Sequence, residues 1–262
     1  MRPDRFIVRY AFPIAIFILV LLLWEAIVAI FGIKHYVLPA PHLVLLTLFN
    51  DRDTLSASLW VTLTITFEAL LAAGCGGLVL AIIFARWKWT ERAFFPFAVV
   101  LQVTPIIAIA PLLLVYLDPQ MAVLVCAFLV AFFPILSNTA VGLASADRNL
   151  VDLFALYGAS GWQNLFLLRL PSALPYLFAG LRIGGGLALI GAIAAELAAG
   201  SAGQGTGLAF RIVESGYIGN IPRMFAALTL ISLTGIAIYL SLTLLSYVVL
   251  RRWHESVLDG QR

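Results

Sequence analysis

Four charged residues stand inside otherwise apolar stretches: Glu25, Glu68, Arg182 and Glu196. A charge in such surroundings is costly, and it marks a solute path, a relay or a paired structural site. Glu68 follows Thr62, Thr64 and Thr66 and lies near the middle of its stretch. There it serves either a structural hydrogen bond or a pathway. Glu25 and Glu196 fall toward one end of their stretches, where a structural role is favoured, and Arg182 toward the other, where it snorkels or meets loop carbonyls. Arg182 and Glu196 are separated by about 21 Å along a helix and cannot pair with each other. Gln102, Thr104, Ser137 and Asn138 are the remaining polar candidates for a pathway, although such groups also hydrogen-bond between helices.

Other chemistries find no support in the residues. The glycine-rich run Gly200–Gly207 lacks the Gly-Lys-Ser/Thr ending of a phosphate loop and reads as a hinge. His35, His42 and His254 are isolated from other ligands, so no metal site is expected. No nucleophile stands at a useful spacing from a base, so no catalytic residue is assigned, and no cofactor is expected on this chain. Cys75 and Cys126 both sit in apolar runs and read as packed free thiols. The net charge of +3 is small and scattered, which argues against nucleic acid.

The elements that must carry these residues follow from composition. Of 262 residues, 63% are hydrophobic and 11% charged, against about 25% charged in soluble domains. Lipid is therefore the natural solvent. Six stretches reach the length of about 20 apolar residues that a membrane helix needs: Ala11–Phe31, Ser58–Ala85, Phe94–Tyr116, Met121–Leu143, Pro175–Ala199 and Phe225–Leu250. Asp118-Pro119 makes a tight turn that folds the third and fourth into a hairpin. The expectation is an all-α integral membrane protein of six spans, one domain over 1–262 with its core at 58–250. With the N-terminus inside, eleven Lys and Arg residues fall in inner segments and four in outer ones (Lys34, Arg52, Arg211 and Arg223). By the positive-inside rule both termini are cytoplasmic.

Span five carries small residues at every fourth position, Gly180, Gly184, Ala188 and Ala192, leading to Glu196. Such a ridge lets helices approach closely in lipid. It lines either a pathway or subunit interface, or a packing contact within one subunit. Two loops are long. The outer one continues from the glycines through Leu208, Phe210, Ile212, Val213, Tyr217 and Ile218, as a short helix lying on the membrane face. The inner one, Ala144–Leu174, carries a short helix exposing Leu153, Leu156, Tyr157 and Trp162. A groove in another protein, or the bilayer surface, would bury that apolar face. Gly158 permits a turn there, and Pro171 ends the segment.

The inner loop reads Asp152-Leu153-Phe154-Ala155-Leu156-Tyr157-Gly158-Ala159-Ser160-Gly161-Trp162, then Leu168-Arg169-Leu170-Pro171. It resembles the cytoplasmic signature of bacterial ABC importer permeases: an acidic-Ala-Ala triplet, a glycine four residues on, then Ile-x-Leu-Pro. Gly158, Leu170 and Pro171 match; Asp152 replaces Glu, Leu168 replaces Ile, and Leu153 and Phe154 replace the two alanines. The resemblance extends through Trp24-Glu25, Val37–Pro41, Pro105, Pro111, Phe133–Thr139 and Ala195-Glu196 to permeases of the nitrate/sulfonate/taurine type.

That resemblance implies a type I importer permease fold in a bacterial inner membrane. It implies a homodimer and an outside substrate-binding protein, and two ATPase subunits that carry ATP and Mg. Asp152, Leu153, Ala155, Leu156, Tyr157, Gly158, Ala159 and Trp162 would form the ATPase-docking coupling helix. The pathway candidates are Glu68, Gln102, Thr104, Ser137, Asn138, Gly184, Ala188 and Glu196. The solute would be a small organic compound or anion, sulfonate- or nitrate-like, or a small heterocycle such as a vitamin precursor. The alternative is a secondary transporter driven by an ion gradient, for which the chain shows no half-to-half symmetry.

Overall fold

The computed structural model describes residues 3–199 and 206–251. The first six glycine-loop positions, 200–205, lie outside the described residues, as do Arg2, Arg252, His254 and Arg262. The described residues form helices and connecting turns: α1 (Pro3–Ile30), α2 (Pro41–Asn50), α3 (Arg52–Arg86), α4 (Lys88–Val103), α5 (Ile106–Tyr116), α6 (Pro119–Ala144), α7 (Arg148–Leu156), α8 (Gly161–Asn164), α9 (Leu170–Ala199), α10 (Leu208–Tyr217) and α11 (Ile221–Leu250). A π-helical stretch, Leu165–Arg169, joins α8 to α9. Five of these segments are long and apolar enough to cross a membrane, and the bent pair α4–α5 makes a sixth.

Helices α3, α6 and α9 form the centre, and small residues decide how closely they meet. A Cβ on Gly184 would stand 2.8 Å from Ile135 Cδ1, and one on Gly180 would stand 3.0 Å from the Ile135 Cα. A Cβ on Gly191 would likewise lie 3.0 Å from the Ala127 Cα, and one on Gly142 2.7 Å from the Tyr176 Cβ. The ridge of span five therefore packs on α6 of the same chain, which resolves its two readings in favour of the intrachain contact. Helix α3 joins through Gly77, whose Cβ would meet Ile135 and the backbone of Leu136 at 3.1–3.2 Å. Close backbone approach of this kind is how helices associate in lipid, where apolar attraction between them is absent.

The third span differs from the straight helix expected over Phe94–Tyr116. It starts at Lys88 and breaks at Thr104-Pro105, where α4 and α5 meet at a bend of 98°. Pro105 has no N–H and pushes the preceding residue out of the helical region, and Thr104 is extended at φ −72°, ψ 125°. Both halves still meet α6, α4 through Phe95 on Phe133 at 5.9 Å between ring centroids and α5 through buried Ala110 in the cluster of Val123 and Ala127. Asp118 is the N-cap of α6, accepting from the N–H of Met121 at 3.0 Å, and Pro119 occupies its first turn.

Pro171 does not end a segment as expected. The helix runs on from Gly161 to Ala199, 39 residues, so span five begins well before Pro175. The π stretch immediately upstream is where the ladder widens, a common accommodation around a proline. Helix α2, on the α10 side of the bundle, is a short apolar helix that the six expected stretches do not include. Helix α1 touches the rest of the chain near its C-terminal end, where Trp24 packs on Phe225 at 5.9 Å between ring centroids and Val28 is buried. Its other side chains from Ala11 onward are mostly exposed.

Candidate functional site

At the end of the bundle formed by α6 and α9, α7 projects as a nine-residue helix with no buried side chain. Asp147 caps its start, accepting from the N–H of Asn149 at 2.8 Å. Its end is a Schellman turn: the N–H of Ala159 donates to Phe154 O (2.9 Å) and that of Gly158 to Ala155 O (3.0 Å). Gly158 has φ +71°, a conformation that a side chain disfavours. Leu156 and Tyr157 are each 84% exposed, and Leu153 44%. Asp152 and Ala155 are exposed as well, while Ala159 is half-buried.

The second half of the loop turns back to the bundle. Ser160 and Gln163 form a capping box, Ser160 Oγ accepting from the Gln163 N–H at 3.2 Å and Gln163 Oε1 from the Ser160 N–H at 2.7 Å. The Ser160-x-x-Gln163 spacing is the local sequence signal of such a box, though not among those that set the expected elements. Trp162 stacks on Phe166 at 5.7 Å, and the Arg86 guanidinium lies 5.7 Å from its ring centroid. Trp162 thus braces the loop against the end of α3, while Leu153, Leu156 and Tyr157 project freely. Nothing in the local sequence marks Arg86 for this role, since the contact joins residues 76 apart.

At the opposite end of the bundle, carboxylates cap helices. Glu196 is buried; its Oε1 accepts from Thr62 Oγ1 at 3.2 Å and its Oε2 from the Ala209 N–H at 3.0 Å. Thr62 Oγ1 in turn accepts from the Leu208 N–H at 2.9 Å. The carboxylate sits against the first turn of α10, where orphan N–H groups and the helix dipole favour negative charge. A Cβ on Gly207 would collide with it, so glycine is required for this approach. Glu25 does the same for α2, accepting from the His42 N–H at 3.3 Å and meeting His42 Nδ1 at 2.6 Å. Arg211 reaches Ser58 and Glu214 (both 2.8 Å), and Arg223 Nε bonds Asp51 at 2.6 Å. Helix α10 is thereby held against the bundle, with Leu208, Ala209 and Ser215 buried and Tyr217 and Ile218 exposed.

The pathway candidates fall in different environments. Glu68 is exposed on the outward face of α3, with Thr64, Leu71 and Cys75; the Cys75 thiol is thus exposed and not packed, unlike buried Cys126. Gln102 is exposed just before the bend, and Thr104 at the bend donates to Val100 O at 2.7 Å. Ser137 is half-buried, as is Asn138, which donates to Pro134 O at 2.8 Å. Gly184 and Ala188 are buried in the α6–α9 contact, and the Glu196 carboxylate is committed to its capping role. Arg182 is half-buried, with no hydrogen bond or ion pair among the described residues.

Residues 77–255 match the family of binding-protein-dependent transport system inner membrane components. The chain belongs to that family. The permease is 33% identical over 244 residues to the riboflavin transport system permease protein of Chloroflexus aurantiacus, covering 91% of this chain and 88% of that one. It is 32% identical over 243 residues to the formylaminopyrimidine transport permease protein of Halalkalibacterium halodurans (91% and 94% covered). It is 28% identical over 223 residues to the putative aliphatic sulfonates transport permease protein of Bacillus subtilis (82% and 78%). The chain is thus a multi-pass membrane permease subunit of an ATP-binding-cassette importer for small solutes, and the ion-gradient alternative is not supported.

Proposed function

We propose that the permease works as a homodimer whose two α7 helices dock on two separate ATPase subunits, which bind ATP and Mg and hydrolyse the nucleotide. One observation carries this reading: α7 holds Leu153, Leu156 and Tyr157 away from its own chain, capped at both ends and braced through Trp162. An apolar helix face with no intrachain partner is suited to a groove in another protein. Closure of the ATPases would draw the α7 pair together and rock α6 and α9, which follow rigidly because their backbones are in contact. That motion would alternate access to a path at the dimer axis.

In this reading both termini and α7 face the cytoplasm of a bacterial inner membrane, as the Lys/Arg distribution indicates. A binding protein delivers the solute at the α10 end. A small heterocycle is favoured over an inorganic anion, because the relatives named for riboflavin and formylaminopyrimidine are over 30% identical and cover nearly the whole chain. The pathway candidates with exposed side chains are Glu68 and Gln102, open toward whatever adjoins the chain.

The test is co-purification of ATPase subunits with the tagged permease. Leu156→Asp and Tyr157→Asp place a charge at the exposed positions without disturbing backbone geometry, and both should lose the ATPases. Tyr217→Asp, at the other end of the bundle, should retain them. Retention by the α7 variants would sink the docking assignment.

A further inference from the structure

Between α7–α8 and the adjoining end of α3 lies a groove of about 280 Å³, lined by Arg86, Val151, Ala155, Asn164, Leu165 and Arg169 among others. Among the described residues no carboxylate lines it. Arg169 Nε donates to Asn164 Oδ1 at 2.9 Å, which leaves its two terminal nitrogens available. Arg86 makes no hydrogen bond or ion pair among the described residues; its guanidinium lies 5.6 Å from the Trp87 centroid and 5.7 Å from that of Trp162. The nearby acid Glu91 is engaged by Lys88 at 3.0 Å. Glu91 and Lys88 line a neighbouring cavity with Arg169, so among the described residues the groove itself holds two cations and no acid, an arrangement that favours an anion.

The groove's position narrows which anion. It opens where the apolar lengths of α3 and α9 end, and Trp87 and Trp162, both beside Arg86, are 44% and 46% exposed. Exposed tryptophans at helix ends mark headgroup depth. The guanidinium fork matches a phosphate oxygen pair, and Val151, Ala155 and Leu165 offer apolar wall to the adjoining glycerol and first methylenes. We infer that this groove binds the phosphate of an anionic phospholipid headgroup, clamped by Arg86 and Arg169. Basic pockets between membrane helices take such headgroups. The bound lipid would tie the end of α3 to α7. That mechanical consequence rests on the coupling role of α7, whereas the binding itself does not.

The experiment uses the purified, delipidated full chain in neutral detergent, with lipid binding counted by native mass spectrometry. Phosphatidylglycerol should bind about tenfold more tightly than phosphatidylcholine, the scale of one charge-assisted contact pair. Arg86→Gln and Arg169→Gln should each remove most of that preference. Ala155→Trp, which fills the groove and keeps both cations, should remove it too, and Arg86→Lys should retain part. Circular dichroism of each variant establishes that the helices are intact. Equal binding of the two lipids, or a preference untouched by these variants, overturns the proposal. Displacement of phosphatidylglycerol by equimolar inorganic phosphate would assign the groove to free phosphate and overturn the lipid claim. Because binding is read on the isolated chain, its failure leaves the ATPase co-purification result standing, and the converse holds.

Discussion

The Glu196 carboxylate, the Thr62 hydroxyl and the first N–H groups of α10 form one buried network with Gly207 pressed against it. Its value can be tested by subtraction. Glu196→Ala leaves the Ala209 N–H without its acceptor and removes the charge at the helix start. It should destabilise the detergent-solubilised chain by about 2–3 kcal/mol, read as a lowered unfolding midpoint. Glu196→Gln keeps an acceptor oxygen and should cost less. Gly207→Ala drives a Cβ into the same carboxylate, so it should be costly alone and nearly free in the Glu196→Ala background. That non-additivity is the signature of one shared contact. Additive losses would mean that Gly207 matters for another reason.

At the scale of the element, α7 is defined by its two ends more than by its length. Gly158→Ala forces a Cβ into the left-handed region and should cost about 1–2 kcal/mol of local stability, with Gly158→Asn milder. Since a charge at Gly158 would add this strain to any docking effect, Leu156 and Tyr157 are the cleaner probes. Amide exchange in residues 148–159 should quicken in Gly158→Ala, and unchanged exchange would count against the turn as the stop of α7. In α9, Gly184→Val places branches where Ile135 Cδ1 and the Ala131 carbonyl already sit at 2.8 and 3.2 Å from an added Cβ. Overpacking of that kind costs about 1–3 kcal/mol, and here it should separate α6 from α9. Transport should fall even where α7 still binds its partner.

For the whole molecule, the polarity of the bundle follows from its connections: α6 and α9 place α7 at one end and α10 at the other. The proposed orientation predicts labelling from opposite sides of the membrane. In a Cys75→Ser background, Tyr217→Cys should react with an impermeant maleimide on intact cells. Tyr157→Cys should react only after permeabilisation, in cells lacking the ATPase. The reverse pattern would invert the topology and place the docking face outside. Glu68, exposed on α3 and apolar in its surroundings, cannot face hydrocarbon cheaply. In a homodimer it adjoins the second copy or a watered path, and Glu68→Leu should leave folding intact while changing solute uptake.

Hydropathy alone placed the spans, because a row of about 20 apolar residues matches the hydrocarbon thickness of a bilayer and fits poorly anywhere else. The Asp118-Pro119 turn and the family signature around Gly158 were equally local; the caps at Asp147 and Ser160-x-x-Gln163 are local too, but were not among the signals that set the expected elements. The break at Thr104-Pro105 was visible as a proline but not as a bend of 98°, since a proline in a span is often absorbed with a small kink. Which face of a uniformly apolar helix meets which neighbour is not written in its periodicity: lipid and protein interior select the same residue types. Only the packed bundle could therefore turn the Gly180–Ala192 ridge toward α6, set the Glu196 carboxylate on α10, and bring Arg86 beside Trp162. Those contacts join residues far apart in the chain, and their partners are chosen by backbone approach rather than by composition.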